Sequence, residues 1–258
     1  MPGGQYDSSK TRVVPVFDQL AVRHDDWIRT LLSLATYGSG VAVPPDLDLT
    51  FVAGNWGVNE RGLAPPVALL SWLIRNLTPP VGATTLNDER TRLLARDPKT
   101  IAEALQSLKS TNANRGWWVF EGPTYPDALI ETPSALVVIE GKRTESGPTT
   151  ATTWMPHRHQ MWRHMDAAWE IRGGRAVFGL FLVSAKPGTS VVPVSWQQAA
   201  RETLGPIAIA GSFPHRGPEE QQRLAQGFLG VVTWQEVCGR FGIDHSALPD
   251  TISVLNSE

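Results

Sequence analysis

The sequence predicts an α/β protein, in the α+β sense of a mixed sheet flanked by helices. Three observations predict it. The apolar runs inside "ALVVIEGK" and "RAVFGLFLVS" have strand length and are bounded by turn residues. Between them, "MPHRHQMWRHMDAAWEI" carries its apolar residues at helical spacing. Ahead of both, "DPKTIAEALQSLKS" reads as an amphipathic helix with Pro98 in its first turn. The resulting core order is helix, three strands, helix, strand.

Taken in chain order, residues 1–12 are polar and Gly/Ser-rich and are expected to be disordered. Residues 13–96 form a helical N-terminal region. A helix is expected from about Phe17 to Tyr37, with Gly38 as its stop, and then an irregular, turn-rich stretch. A second helix runs from Val67 to Leu77 between two Pro-Pro pairs, and a third covers Asp88 to Ala95. The core spans 97–245. Asp97 is the N-cap of its first helix. "RGWWVFEG" is a short aromatic strand, and "PDALIE" and "ALVVIEGK" are two strands joined at Thr132-Pro133-Ser134. Beyond Ser184 come helices at Trp196–Leu204 and Pro218–Ala225, a strand at "FLGVVT" and a helix at "WQEVCGRF"; 246–258 is a tail.

Bulk properties narrow the function classes. The net charge of −2 carries no global basic signal, so any nucleic-acid contact must rely on a local patch. Cys238 is the only cysteine, which excludes an intrachain disulfide and a thiolate zinc cage. No secretory h-region opens the chain, and no apolar run is long enough to span a bilayer. A soluble, cytoplasmic protein without a membrane partner is expected. The ten tryptophans have no fixed period and read mainly as packing residues.

The strand "ALVVIEGK" raises a question of energetics, because an apolar run ends in Glu140 and Lys142 on one face. Burying charge without a partner is expensive. With 25 acids and five lysines, an acid followed two positions later by lysine is expected roughly 0.5 times by chance. Two occur, and Asp97-Pro98-Lys99 is explained by the helix cap. Glu140-Gly141-Lys142 instead follows a strand that carries Asp127. The bland alternative is a solvated hairpin whose surface pair is worth under about 1 kcal/mol.

Pro126-Asp127 followed by Glu140-Gly141-Lys142 resembles the signature of the PD-(D/E)XK nuclease superfamily. The order of elements from Pro98 to Ser184 resembles its restriction endonuclease-like core. The resemblance covers roughly 100–240 and leaves the first 95 residues unexplained. It implies a magnesium-dependent nuclease, with manganese able to substitute. Asp127, Glu140 and the backbone carbonyl of Gly141 would hold the ion, and Lys142 would position or deprotonate the attacking water. It also implies a nucleic-acid partner, DNA before RNA, and a homodimer where both strands are cut.

Several residues could support that site. Glu103, on the helix before the first strand, is a candidate additional ligand, although Thr100 to Glu103 also fits a capping box. Glu131 shares a strand face with Asp127. His157, Gln160 and His164 fall on one helical stripe at i, i+3 and i+7. The exonuclease branch of the superfamily carries a glutamine and an aromatic four residues later on this helix, and here histidine takes the aromatic's place. From Lys142 to Arg175 six basic residues face three acidic ones, a modest excess beside the proposed site. Two rivals remain: a non-catalytic nucleic-acid-binding or assembly module of this fold, and a metallohydrolase using His157, His159 and His164. The second is disfavoured because His159 points away from the other two.

Overall fold

Alternation along one strand organises the molecule. In this computed structural model, which describes residues 8–23, 26–78, 87–109, 116–149 and 154–251, all eight residues of Ala135–Lys142 are buried. Val137 and Ile139 enter one hydrophobic core, while Leu136 and Val138 enter a second on the opposite face. A strand covered on both faces reads as a continuous apolar run for this reason. Each of these four side chains contributes about 1.5–3 kcal/mol by leaving water.

Among the described residues the sheet has six strands: β1 (Thr36–Tyr37), β2 (Ala53–Trp56), β3 (Ala128–Glu131), β4 (Ala135–Lys142), β5 (Ala176–Val183) and β6 (Phe228–Thr233). Their order is β1-β6-β5-β4-β3-β2. β3 and β4 form an antiparallel hairpin whose turn is closed by Thr132, which accepts a 2.8 Å bond from Ala135 N on its hydroxyl. β4, β5 and β6 are mutually parallel, and β1 and β2 add antiparallel edges. The mixed sheet expected from the sequence is present.

Helices cover both faces. On the first lie α1 (Val14–Arg23), α2 (Trp27–Ser33) and α10 (Trp234–Phe241), through Phe17, Leu20, Trp27, Ile28 and Val237. On the second lie α6 (Gln160–Ile171), α7 (Val194–Thr203), α8 (Pro206–Ser212) and α9 (Pro218–Gly227), through Met161, Met165, Trp196 and Leu224. The helix α6 makes the crossover from β4 to β5 and lies directly on β5. A Cβ at Gly179 would sit 2.3 Å from Met165 Sδ and 2.8 Å from Met161 Sδ, so any side chain there would have to displace both methionines. A third, smaller core joins α3 (Val67–Asn76), α4 (Asp88–Leu94) and α5 (Pro98–Ser107) with Phe120 and Met155.

Several expectations need correction. Residues 116–122 are not a strand. The carbonyls of Trp117 and Val119 accept bonds from the Arg90 guanidinium at 2.7 and 3.0 Å instead of joining a ladder. Phe120 turns into the third core against Trp154. The place beside β3 belongs to β2, from a stretch read as irregular. The 13–96 region is therefore not separate from the core, since it supplies β1, β2 and much of one hydrophobic layer. The single helix expected over 17–37 is two helices followed by β1. Residues 8–12 are ordered, with Ser9, Thr11 and Arg12 buried in a π-helical turn (Ser9–Val13); residues 1–7 lie outside the described part. In the tail, Leu248 is buried in the first core, and 252–258 lie outside the described residues. Asp97 does cap α5, accepting from Thr100 N at 2.8 Å, so Thr100 and Glu103 form no capping box.

Buried charge also ties α6 to its surroundings. Arg158, with no exposed side-chain surface, is held by Glu121 at 2.7 and 2.9 Å, by Asp166 at 2.8 Å and by the Ser212 carbonyl at 2.9 Å. Asp166 in turn meets Arg216 and His215. Arg158 is therefore not part of a solvated basic patch. Removing one partner leaves charge uncompensated in a low dielectric, which is where buried pairs become costly. Glu121→Ala is expected to destabilise the protein by about 3 kcal/mol, measured by urea unfolding, with Glu121→Gln losing less.

Candidate active site

The period-two alternation that directs Leu136 and Val138 to the α6 face directs Glu140 and Lys142 there as well. Both remain buried, at 2% and 8% exposure. Lys142 Nζ lies 2.9 Å from Glu140 Oε1 and donates to Gln160 Oε1 at 3.2 Å. The other Glu140 oxygen is 3.0 Å from His164 Nε2. His164 Nδ1 is 2.8 Å from Thr124 Oγ1. The carboxylate requires a proton on Nε2, and in the neutral ring Nδ1 then accepts from the threonine hydroxyl.

Asp127 immediately precedes β3, whose first pair is Ala128 with Ile139, so it stands beside Glu140. Its Oδ2 accepts a 2.8 Å bond from Gly141 N. Gly141 sits in a tight place: a Cβ would lie 3.0 Å from Trp234, 3.1 Å from Val13 and 3.3 Å from Asp127 Oδ2. Ser8, at the start of the N-terminal turn, donates to the Gly141 carbonyl at 2.8 Å and approaches Asp127 Oδ2 at 3.4 Å.

The electrostatics separate the two acids. Burial, then the neighbouring Glu140, push the Asp127 carboxyl well above the usual carboxylate range. Burial acts on Glu140 in the same direction, but the His164 bond and the Lys142 charge outweigh it and hold that carboxyl below the usual range. For Lys142, burial works against the ammonium and Glu140 more than restores it, so its pKa is raised. Lys142 Nζ thus faces two carboxylates directly, Glu140 at 2.9 Å and Glu145 at 3.8 Å, while the charge of Asp127 acts on it without an ion pair.

The expected residues are only partly gathered. Asp127, Glu140, Gly141, Lys142, Gln160 and His164 converge. His157 does not, because α6 begins at Gln160 and His157 lies before it, exposed, with its ring beside Gly211. His159 is buried against Thr203 at 3.1 Å and stacks on Trp162; burial pushes its pKa down to about 3. The three histidines therefore lie in three separate places. Glu131 is at the far end of β3, paired with Arg61 at 2.9 Å and Arg175 at 3.0 Å. Glu103 is exposed on α5, which packs on α3 and α4 and not on the sheet.

Three residues join that no spacing pattern marked. Thr124 is positioned by an isolated bridge with Leu63, closed by bonds of 2.8 and 2.9 Å. The same bridge brings the 60–63 loop near the site, where the charge of Glu60 acts on Asp127 and Ser9 donates to it at 2.7 Å. Ser8 is the third. Its only signal is its polarity in a segment that reads as a tail.

Among the described residues, no three His, Cys, Asp or Glu side chains converge as a metal cage. An oxygen-ligand cation that keeps several waters does not need one. A cleft of about 670 Å³ lined by Trp169, Arg172, Arg175 and Ala176 lies at the start of β5, the opposite end of the sheet from Lys142. No helix among the described residues is long and apolar enough to cross a membrane. No protein-family model, curated protein or solved structure matches this chain.

The raised Asp127 pKa has a definite sign. Unfolded Asp127 ionises near about 3.9, and the folded group ionises higher. Between those values the folded state binds more protons, so stability falls as pH rises through the window. Asp127→Asn is therefore expected to raise the melting temperature at neutral pH, with the gain vanishing as pH approaches 4 in thermal melts across pH.

Proposed function

We propose that the protein is a magnesium-dependent nuclease of the PD-(D/E)XK type, acting on DNA. The observation that carries this reading is the burial of Glu140 and Lys142 together beside Asp127. A buried ion pair is a poor source of stability, since apolar residues of similar volume usually do as well or better. Charges kept at 2% and 8% exposure are better explained by chemistry performed there. The fold reading is supported by the run β2, β3, β4, α6, β5, in which three antiparallel strands lead through a helix to a parallel fourth. On this reading α3 to α5 are an insertion between the first two of those strands.

The donor set suits a hard cation. Asp127 and Glu140 offer carboxylate oxygen and Gly141 its carbonyl; burial, then the Glu140 charge, raise the Asp127 pKa, and a cation there would relieve the second of these. Magnesium, or manganese, bound there would supply Lewis acidity and a more acidic water. The chain's own groups do the rest. Lys142 positions the attacking water and offsets phosphate charge, held in place by Gln160. His164 fixes one Glu140 oxygen, and Thr124 fixes His164. The Ser8 hydroxyl already bonds the Gly141 carbonyl and must share or yield it.

Two measurements test the reading. In a panel of linear, circular, single-stranded and branched substrates with magnesium or manganese, Asp127→Ala, Glu140→Ala and Lys142→Ala are each expected to abolish cleavage while the fold survives. Wild-type protein that cuts nothing, or variants that cut normally, would sink the proposal. In a manganese titration, His164→Ala is expected to weaken binding about 10- to 100-fold. A protein with no carboxylate-dependent cation binding would instead be a non-catalytic binding module.

A further inference from the structure

Beside the acid pair lies an anion-recognising arrangement that this mechanism leaves unused. Arg12, in the π-helical turn, and Arg143, the residue after Lys142, converge on one carboxylate oxygen. Arg12 Nη2 is 3.2 Å and Arg143 Nη2 is 3.3 Å from Asp250 Oδ1. Both guanidiniums are anchored by other bonds. Arg12 Nη1 donates to the carbonyls of Pro249 at 2.6 Å and Thr11 at 2.7 Å. Arg143 Nη1 donates to the Asp250 carbonyl at 2.6 Å and to Thr11 Oγ1 at 3.1 Å.

The exposures are uneven. The two arginine side chains are 4% and 12% exposed, whereas that of Asp250 is 87% exposed. The cations are built into the fold, and the anion between them sits at the surface. Two guanidiniums converge on that one exposed carboxylate oxygen. A phosphodiester offers two free oxygens to such a fork, a better match than one carboxylate oxygen.

We propose that Arg12 and Arg143 form a phosphate subsite for a nucleic-acid backbone, with Asp250 as an internal occupant that the backbone displaces. The subsite flanks the candidate active site on both of its connections. Arg143 follows Lys142 directly, and the turn carrying Arg12 begins at Ser8, which bonds Gly141. Arg143, just past β4, reaches Thr11 and Asp250 and not Gln160 or His164, so a strand crossing the end of β4 would meet Lys142 on one side and the two arginines on the other. The identity of the ligand as nucleic acid rests on the nuclease reading; the fork itself does not.

The test is binding of labelled single- and double-stranded DNA in EDTA, where no cleavage occurs. Asp250→Asn is expected to tighten binding about two- to fivefold, the scale of an exposed ion pair, and to steepen the log–log salt dependence by about one unit. Glu219→Gln removes the same charge from an exposed pair on α9 and is expected to change nothing. Arg143→Gln added to Asp250→Asn should return affinity to the wild-type level or below, with thermal melts confirming the fold. Unchanged binding by Asp250→Asn, an equal gain from Glu219→Gln, or no DNA binding by any form overturns the subsite. Cleavage by wild type with no Asp250→Asn effect would refute the subsite alone. The expected binding changes without any cleavage would refute the nuclease alone.

Discussion

The two-sided burial of β4 is the constraint on which the rest depends. A central strand in a parallel stretch of sheet has no solvent face, so each side chain it carries must enter one core or the other. For Leu136 to Ile139 this is favourable. For Glu140 and Lys142 it is costly, and the surrounding structure is arranged to meet that cost. The helix α6 presents Gln160 and His164 where the two charges emerge, Thr124 completes the His164 contact, and Asp127 is drawn in by the Gly141 amide.

The helix α6 carries two polar systems that serve different ends. At its start, Gln160 and His164 hold Lys142 and Glu140. Along its other polar edge, Asp166 joins Arg158, Arg216 and His215 and so pins the α8–α9 connection to the layer below. The second system is closed on itself, with each strong charge matched. The first is not: Lys142 faces both Glu140 and Glu145, and burial, then the Glu140 charge, hold the Asp127 carboxyl well above the usual range.

Legibility in the sequence followed the range of the forces involved. The strand β4, the hairpin turn at Thr132, helix α5 with its Asp97 cap, and the crossover helix α6 all have local causes and were readable. The aromatic stretch 116–122 has strand composition, yet Arg90, 27 residues before Trp117, satisfies its carbonyls. No local pattern shows a guanidinium supplied from so far away. Likewise β2 has only four residues and includes Gly54, and it is a strand because β3 offers an edge to pair with.

By itself the sequence determined the alternation and the motif: an apolar run ending in Glu140 and Lys142, after a strand led by Asp127. Period two places the pair on one face whatever the fold around it. Tertiary structure alone decided which face that is, what covers it and which distant groups reach it. It joined Gln160 and His164 to the site and left out His157, Glu131 and Glu103. It also brought in Ser8, Glu60 and Thr124, and set Asp250 between Arg12 and Arg143. Those contacts span from 18 to 238 positions of chain. They exist because packing the two layers of helices brings those segments together, and no spacing rule along the chain encodes them.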